Sequence, residues 1–436
     1  DRVYFTASMK ITLILLTFII LGNMNTFSQD VAFYLRIDDP TLVPEKIKDY
    51  KSNKLIFKSN NTKMDDILKK YKFKKFHQAF PTSTRSSVRK LYTVVCDDKT
   101  FGEDIKREFK NEISGVYHLE GGLTYTPNDY GMALGQTNLD LINAKDAWDI
   151  CRKIPKISIG ISDTYFDLNH EDLNMTHFGG TNSQYVADNY HGTAVAGCIG
   201  AITDNNTGIA SVGYDMELYV HNDYGPWGGD SAVLALAQAG YRVINCSWWC
   251  TCAPIPEIDT LYQEIREKYN AIVVFGAGNS NSNACGNNNP TFPAGYEVNV
   301  AVTSVGHIND YGTQGSPSNN WKDVHEEIIG DSLSAHKHHP IIDICAPGYN
   351  VSSTDIMGSG GLSVGNYRGF WGTSFAAPQV TGTLGLILSV NPCLSADDAV
   401  YILLDNTDDG IYDIAENQQY IGRLGVGRLD VFASVN

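Results

Sequence analysis

The spacing of hydrophobic and polar residues changes character once along the chain. From about residue 123 onward, short β-branched runs bounded by Gly, Asn or Asp recur: Ile157–Ser162, Glu217–His221, Val243–Trp248, Ala271–Gly276 and Val298–Val305. Between them stand helix-like stretches at His191–Ile202, Ser231–Ala239 and Glu257–Lys268. Continuous apolar strands alternating with helices predict a mostly parallel sheet buried on both faces, an α/β architecture in three layers. The earlier part reads differently. Residues 45–76 carry eleven lysines and no glycine. A strand-like Leu91–Val95, a helix-like Phe101–Asn111 and a second strand-like Ile113–Leu119 follow, and then the break Gly121-Gly122. This predicts a small α+β unit, basic where the remainder is acidic, an arrangement that favours packing of one against the other. The polar stretch Gly306–Pro340 is expected to be a long surface loop, with His336, His338 and His339 facing solvent.

Candidate chemistry lies where the runs end. In open α/β sheets, reactive groups gather at the carboxyl ends of strands. Ile157–Ser162 leads into Asp163-Thr164, and Ala271–Ala277 leads into Gly278-Asn279. His191-Gly192-Thr193 opens one helix; Gly372-Thr373-Ser374-Phe375-Ala376-Ala377-Pro378 opens another running to about Leu388, with Pro378 expected in its first turn. A serine hydroxyl is a weak nucleophile unless a base takes its proton and a carboxylate orients that base. Asp163, His191 and Ser374 supply the three parts. Asn279 offers a side-chain amide beside the Ser374 N–H for a developing oxyanion. Individually, each would pass for a turn residue or a helix cap; together they point to nucleophilic hydrolysis.

Composition narrows the field. With 43% hydrophobic and 19% charged residues, a large core is available, and the net charge of −16 leaves no basic stripe for nucleic acid. Met9-Lys10 followed by the apolar run Ile11–Gly22 reads as a secretory signal, with Thr26 and Ser28 before a cut at Gln29. That run is shorter than the roughly 20 apolar residues of a membrane span. Export permits disulfides among the nine cysteines, and their odd number leaves at least one without an internal partner. Either Cys250 or Cys252 is expected to bridge to Cys285, while Cys198 and Cys246 belong to the core.

The segments around Asp163, His191, Asn279 and Ser374, in that order with Ile344-Cys345-Ala346-Pro347-Gly348 and Gly425-Val426-Gly427-Arg428-Leu429-Asp430, resemble the subtilisin-like serine proteases, most closely the thermitase-like branch. The likeness covers about residues 123–436 and implies a secreted serine endopeptidase acting through an acyl-enzyme without a catalytic metal. It also implies a structural Ca²⁺, held by the side chains of Asp129, Asp172 and Asn205 and the carbonyls of Ile202, Thr207 and Ile209. Residues 1–28 would then be leader and signal, and 29–122 a propeptide serving as folding aid and inhibitor. The domain would act on polypeptides as a monomer, in the medium or cell envelope, with no stable membrane span once the signal is cleaved. The resemblance places the substrate edge at Ser247, Trp248 and Trp249, where the family usually carries Ser-Leu-Gly or Ser-Trp-Gly. Trp249 in place of glycine predicts a narrowed preference at P1, toward small residues. Tyr165 and Ala194 also depart from the family pattern without touching the proton-transfer groups. A non-catalytic binding module, a small-substrate esterase and a surface-anchored protease are the competing readings. The esterase would usually carry a Gly-x-Ser-x-Gly elbow, which Ser374 lacks.

Overall fold

The computed structural model describes residues 31–49, 54–81, 84–98, 100–119, 125–182, 189–279, 285–286, 289–307, 323–325, 336–363 and 365–436. The signal-like segment with its cut at Gln29, the break at Gly121-Gly122, and residues 308–322 and 326–335 of the polar stretch lie outside them. Two compact units separate at Leu123/Thr124.

In the first unit, strands β1 (Val31–Ile37), β4 (Phe73–Gln78), β5 (Leu91–Cys96) and β6 (Ile113–Leu119) form an antiparallel sheet in the order β4-β5-β1-β6. Strands β2 (Glu45–Asp49) and β3 (Lys54–Lys58) form a separate hairpin. Helix α1 (Thr62–Leu68) starts at Asn61, whose side chain accepts from the N–H groups of Lys63 and Met64, satisfying two otherwise orphan donors. Helix α2 (Thr100–Glu108) buries Phe101 and Ile105 among Phe33, Leu35, Phe76 and Val94. The described parts of the lysine-rich run thus fold into β2, β3, α1 and β4, with Met64, Ile67, Leu68 and Phe76 buried and Ile56 exposed.

The second unit is built on a seven-stranded sheet, entirely parallel, in the order β13-β12-β11-β10-β7-β9-β8. Its strands are β7 (Ile159–Ser162), β8 (Met175–Gly179), β9 (Leu218–His221), β10 (Val243–Cys246), β11 (Ile272–Gly276), β12 (Val300–Val305) and β13 (Ile344–Pro347). Period-two alternation divides the apolar residues between two cores. Val243, Ile272, Val274, Val300 and Val302 face a layer that includes α3 (Ala144–Cys151), α4 (His191–Gly200), α7 (Thr373–Val390) and α8 (Ala396–Asp405). Ile244, Cys246, Val273, Phe275 and Ala301 face α5 (Gly229–Gln238) and α6 (Pro256–Tyr269). Helices on both faces of a parallel sheet are the three-layer arrangement expected. Among the described residues, no helix is long and apolar enough to cross a membrane.

Two expectations are corrected here. Pro378 sits inside α7, five residues past its start, not in its first turn. Its missing N–H would otherwise bond the Ser374 carbonyl one turn back. That carbonyl accepts instead from Ser247 Oγ at 2.9 Å. The described part of the polar stretch is also not surface: Val324 and His325 are buried, His336 and His338 are 0% and 5% exposed, and His339 is partly covered. The reason is ring packing. His325 and His338 lie against Tyr420 at 4.7 and 4.5 Å between ring centres, and His336 Nδ1 bonds Ser304 Oγ.

Candidate active site

Asp163 follows the last residue of β7 and is 1% exposed. Its Oδ1 accepts from its neighbour's N–H, that of Thr164, and from His191 Nδ1, each at 2.7 Å. Its other oxygen is buried without a hydrogen-bond partner among the described residues, so the carboxylate's interactions converge on Oδ1. His191 is the first residue of α4. Thr164 Oγ1 accepts from the Gly192 N–H at 3.0 Å and Thr193 Oγ1 from the Asp167 N–H at 2.9 Å, which pins the helix start to the β7 loop. With Nδ1–H donating to Asp163, the Nε2 side of the imidazole carries the lone pair.

Ser374 is the second residue of α7, at the helix end where backbone N–H groups point outward. Gly372 precedes the helix at φ 127°, a conformation that L side chains rarely adopt, and a Cβ there would come within 2.9 Å of Asn279 Nδ2. Ser374 Oγ donates to the Ser247 carbonyl at 3.4 Å. A buried relay runs beneath it. Thr381 Oγ1 donates to Asn245 Oδ1 at 2.9 Å, Asn245 Nδ2 to Ser247 Oγ at 3.0 Å, and Ser247 Oγ to the Ser374 carbonyl.

Asn279 approaches from the end of β11. Its Oδ1 accepts from the N–H and hydroxyl of Thr373, at 3.0 and 3.1 Å. Thr373 Oγ1 in turn accepts from the Gly278 N–H at 3.1 Å. The amide oxygen is thereby committed, and the amide's donor end is its nitrogen.

Asp163, His191, Ser374 and Asn279 line one cleft of about 300 Å³ together with Ser247, Trp248 and Trp249. Trp248 is a wall from behind: it is 8% exposed, its Nε1–H bonds Ser162 O and Oγ at 3.0 Å, and its ring meets Phe275 edge-on. Trp249 is partly exposed. Sequence reasoning did not single out Thr164 and Thr373, which bond Asp163, Gly192 and Asn279, or the loop Tyr224-Gly225-Pro226-Trp227, which forms another wall. Its Gly-Pro-Trp-Gly-Gly string is a turn signal that could have marked it. Trp227 is 68% exposed, with its ring 5.3 Å from that of Tyr224. Cys252 is bonded to Cys285, one of the two pairings expected. Cys198 and Cys246 are buried in the core, where desolvation pushes the Cys198 thiol up to about 12.

The residues expected to hold calcium also converge. Asp129 and Asp172 are both 0% exposed. The Asn205 N–H donates to Asp129 Oδ2 at 3.0 Å and its Nδ2 to Asp172 Oδ1 at 2.7 Å, while the Ile209 N–H reaches Asp172 Oδ2 at 3.1 Å. Asp129 Oδ1 is buried with no partner among the described residues. Burial pushes both carboxyls up, Asp172 to about 7. The Ile202 N–H donates to the Asp172 carbonyl at 2.9 Å, and Thr207 and Ile209 follow in the same loop. Among the described residues no cluster of three or more His, Cys, Asp or Glu could hold a metal, so a cation here would need amide and carbonyl oxygens besides the two carboxylates.

Residues 155–425 match the subtilase family. Thermitase of Thermoactinomyces vulgaris is 29% identical over 300 residues, which are 66% of this chain and 93% of that protein. Subtilisin DY of Bacillus licheniformis is 32% identical over 253 residues, 55% of this chain and 79% of that one. Among solved structures, a protease of Pseudoalteromonas arctica PAMC 21717 superposes with a TM-score of 0.55 at 22% identity, covering 71% of this chain and 99% of that one, a likeness of fold.

Proposed function

The chain belongs to the subtilase family and is a serine-type endopeptidase acting on polypeptides, and from that premise we propose that Ser374, His191 and Asp163 carry the reaction, with Asn279 stabilising the oxyanion. In this reading, Ser374 Oγ attacks the scissile carbonyl carbon while His191 Nε2 takes its proton. Asp163 keeps Nδ1 protonated and stabilises the imidazolium. Charge developing on the carbonyl oxygen is met by Asn279 Nδ2 and the Ser374 N–H. His191 then gives its proton to the leaving amine, an acyl-enzyme forms, and water, deprotonated by His191, releases it. Ser247–Trp249 and the Tyr224–Trp227 loop flank the cleft as edges along which an extended peptide lies as an added strand.

The observation that carries this reading is the 2.7 Å hydrogen bond between buried Asp163 and half-buried His191, in one cleft with a serine at a helix N-terminus. The test is cleavage of casein and labelling by a fluorophosphonate, in the parent and in Ser374→Ala. Both should be present in the parent and lost in the variant. A folded, processed parent that neither cleaves nor labels would instead favour a binding module that kept the groove.

Three further assignments belong to the same reading. Asp129, Asp172, Asn205 and the carbonyls of Ile202, Thr207 and Ile209 hold a structural Ca²⁺, supported by two buried carboxylates, one with an orphan oxygen. Residues 1–28 export the chain, so that the enzyme works outside the cell or in its envelope. Residues 29–122 are a propeptide that inhibits residues 123–436 until removed, supported by their basic charge and independent core.

A further inference from the structure

Pro378 leaves the Ser374 carbonyl without a helical N–H, and the group in its place is the Ser247 hydroxyl at 2.9 Å. A hydroxyl has one proton, so whatever commits the Ser247 proton to that carbonyl bears on the nucleophile. The commitment is made two contacts deeper. Asn245 Nδ2 donates to Ser247 Oγ at 3.0 Å, which uses the oxygen as acceptor and leaves its proton for Ser374. Asn245 lies in β10 and is 0% exposed, so protein groups alone set the orientation of its amide. Its Oδ1 accepts from Thr381 Oγ1 at 2.9 Å. Thr381 is also 0% exposed and stands in α7, 136 residues further along the chain. The same hydroxyl lies 3.1 Å from the Ala377 carbonyl one turn back, but that carbonyl already has the helix ladder for a donor. All three links therefore carry their protons one way, from Thr381 toward Ser374.

We infer that Thr381 is a positioning residue for the nucleophile: its hydroxyl fixes the orientation of the Asn245 amide and thereby directs the Ser247 proton onto the Ser374 carbonyl. The inference rests on the assignment of Ser374 as the nucleophile. Without the Thr381 hydroxyl, Asn245 is free to turn its oxygen toward Ser247 and take that proton for itself. The Ser374 carbonyl then has no donor from Ser247 and none from Pro378, and an unpaired carbonyl costs free energy until the turn that carries it shifts. The Ser374 hydroxyl moves with its backbone, and a reacting group displaced by about 1 Å can lower turnover by as much as 10²-fold. Neither Thr381 nor Asn245 lines the cleft, so substrate binding is spared.

The test uses the full-length, processed protein, with kcat on a peptide amide expressed per active site titrated by a fluorophosphonate. Thr381→Val keeps the shape and removes the hydroxyl. It is expected to lower kcat by about fivefold or more, to slow fluorophosphonate labelling in the same proportion, and to leave KM within about twofold. Thr381→Ser, which keeps the hydroxyl, should stay within about twofold of the parent in all three. Ser247→Ala removes the last donor while keeping the Ser247 backbone, and should lower kcat at least as far. Adding Thr381→Val to it should change kcat by less than about twofold, because the proton it steers is gone. A Thr381→Val enzyme with parental kcat per site, even one that melts earlier, would make Thr381 a structural residue only and overturn the inference. So would a Thr381→Ser enzyme as slow as Thr381→Val, or losses that multiply in the double variant. Should Thr381→Val fail to fold, Thr381→Ala enters the same cycle with the same expectations. A Ser374→Ala protein that still labels would remove the nucleophile assignment and the inference with it.

Discussion

Asp163 offers His191 one oxygen, and the 2.7 Å hydrogen bond to it favours the tautomer with the proton on Nδ1. Asp163→Asn keeps the size and can turn its N–H₂ toward Nδ1, which moves the imidazole proton to Nε2, where a lone pair is needed. We expect kcat to fall on the order of 10³–10⁴-fold with KM little changed, measured on a peptide amide at pH 8. A loss below tenfold would show that His191 is oriented by other contacts. Trp249 lines the cleft, and in the proposed reading it stands where the family resemblance implies glycine and reduces the room for P1. Trp249→Gly should restore cleavage after large P1 residues by one to two orders of magnitude in kcat/KM, read from a P1-varied peptide series. Each methylene accommodated in an apolar pocket is worth about 1 kcal/mol or more. An unchanged profile would place specificity elsewhere, with Trp227 as the next residue to truncate.

Strands and helices convert these contacts into a rigid frame, and the loops after β10 and β11 are where it depends on a covalent tie. Cys252 and Cys285 are 33 residues apart, and closing a loop of that size restricts the unfolded chain by roughly 3–4 kcal/mol. Replacing both by serine should lower stability by about 2–4 kcal/mol in denaturant melts, and dithiothreitol should reproduce the loss in the parent alone. A parent insensitive to reductant would mean that the bond is not formed in solution. The elements themselves were largely legible. Runs such as Val243–Cys246 and Ile272–Gly276 are buried on both faces and read as continuous apolar segments. Strand β8, Met175–Gly179, escaped because it is the sheet edge and its residues are partly or fully exposed. Strands β2 to β4 escaped because lysines interleaved with their apolar residues mask the alternation in the sequence. The candidate site residues stood out in the sequence because each sits at an element end within a short motif. The Thr373–Asn279 clamp joins residues 94 apart in sequence, and the Thr381–Asn245 link joins residues 136 apart. No local pattern encodes such pairs. The histidines of the polar stretch misled for a related reason: ring burial against Tyr420 is a property of the packed molecule, and their sequence neighbours are polar.

The balance of buried charge sets how the whole molecule responds to its medium. If Asp129 and Asp172 hold calcium, excess EDTA should lower the melting temperature by several degrees, since ligand at about 100 times Kd contributes about 2.7 kcal/mol; an unmoved transition would remove the site. Acid acts through different groups. His307 is buried, its Nδ1 facing Thr137 Oγ1 at 2.8 Å and its Nε2 the Tyr349 carbonyl at 2.5 Å, and burial pushes it down to about 4. His336 is pushed down to about 3 and His325 well below its ordinary value of 6.5, both mainly by burial. In the unfolded chain these imidazoles take protons below about pH 6.5; in the folded protein they do not until lower pH. The unfolded state therefore binds more protons in that window, and stability falls as pH drops from about 6.5 toward 4. For His307 the drop amounts to roughly 3 kcal/mol over the window. Asp343 and Asp230 oppose it, because burial raises both carboxyls, Asp343 to about 6, and protonation of a raised carboxyl favours the folded form. Burial also holds His170 and His221 below their ordinary value. If calcium holds Asp129 and Asp172, four histidines with lowered values besides His307 stand against the two raised carboxyls, and a net loss is expected. Melting temperatures at saturating calcium should therefore decline steadily from pH 7 to pH 4.5, and His307→Gln, which keeps polar contacts but cannot titrate, should flatten the decline. A curve level over that range, or a variant with the parent's slope, would mean that these histidines reach solvent and titrate as they do in the unfolded chain.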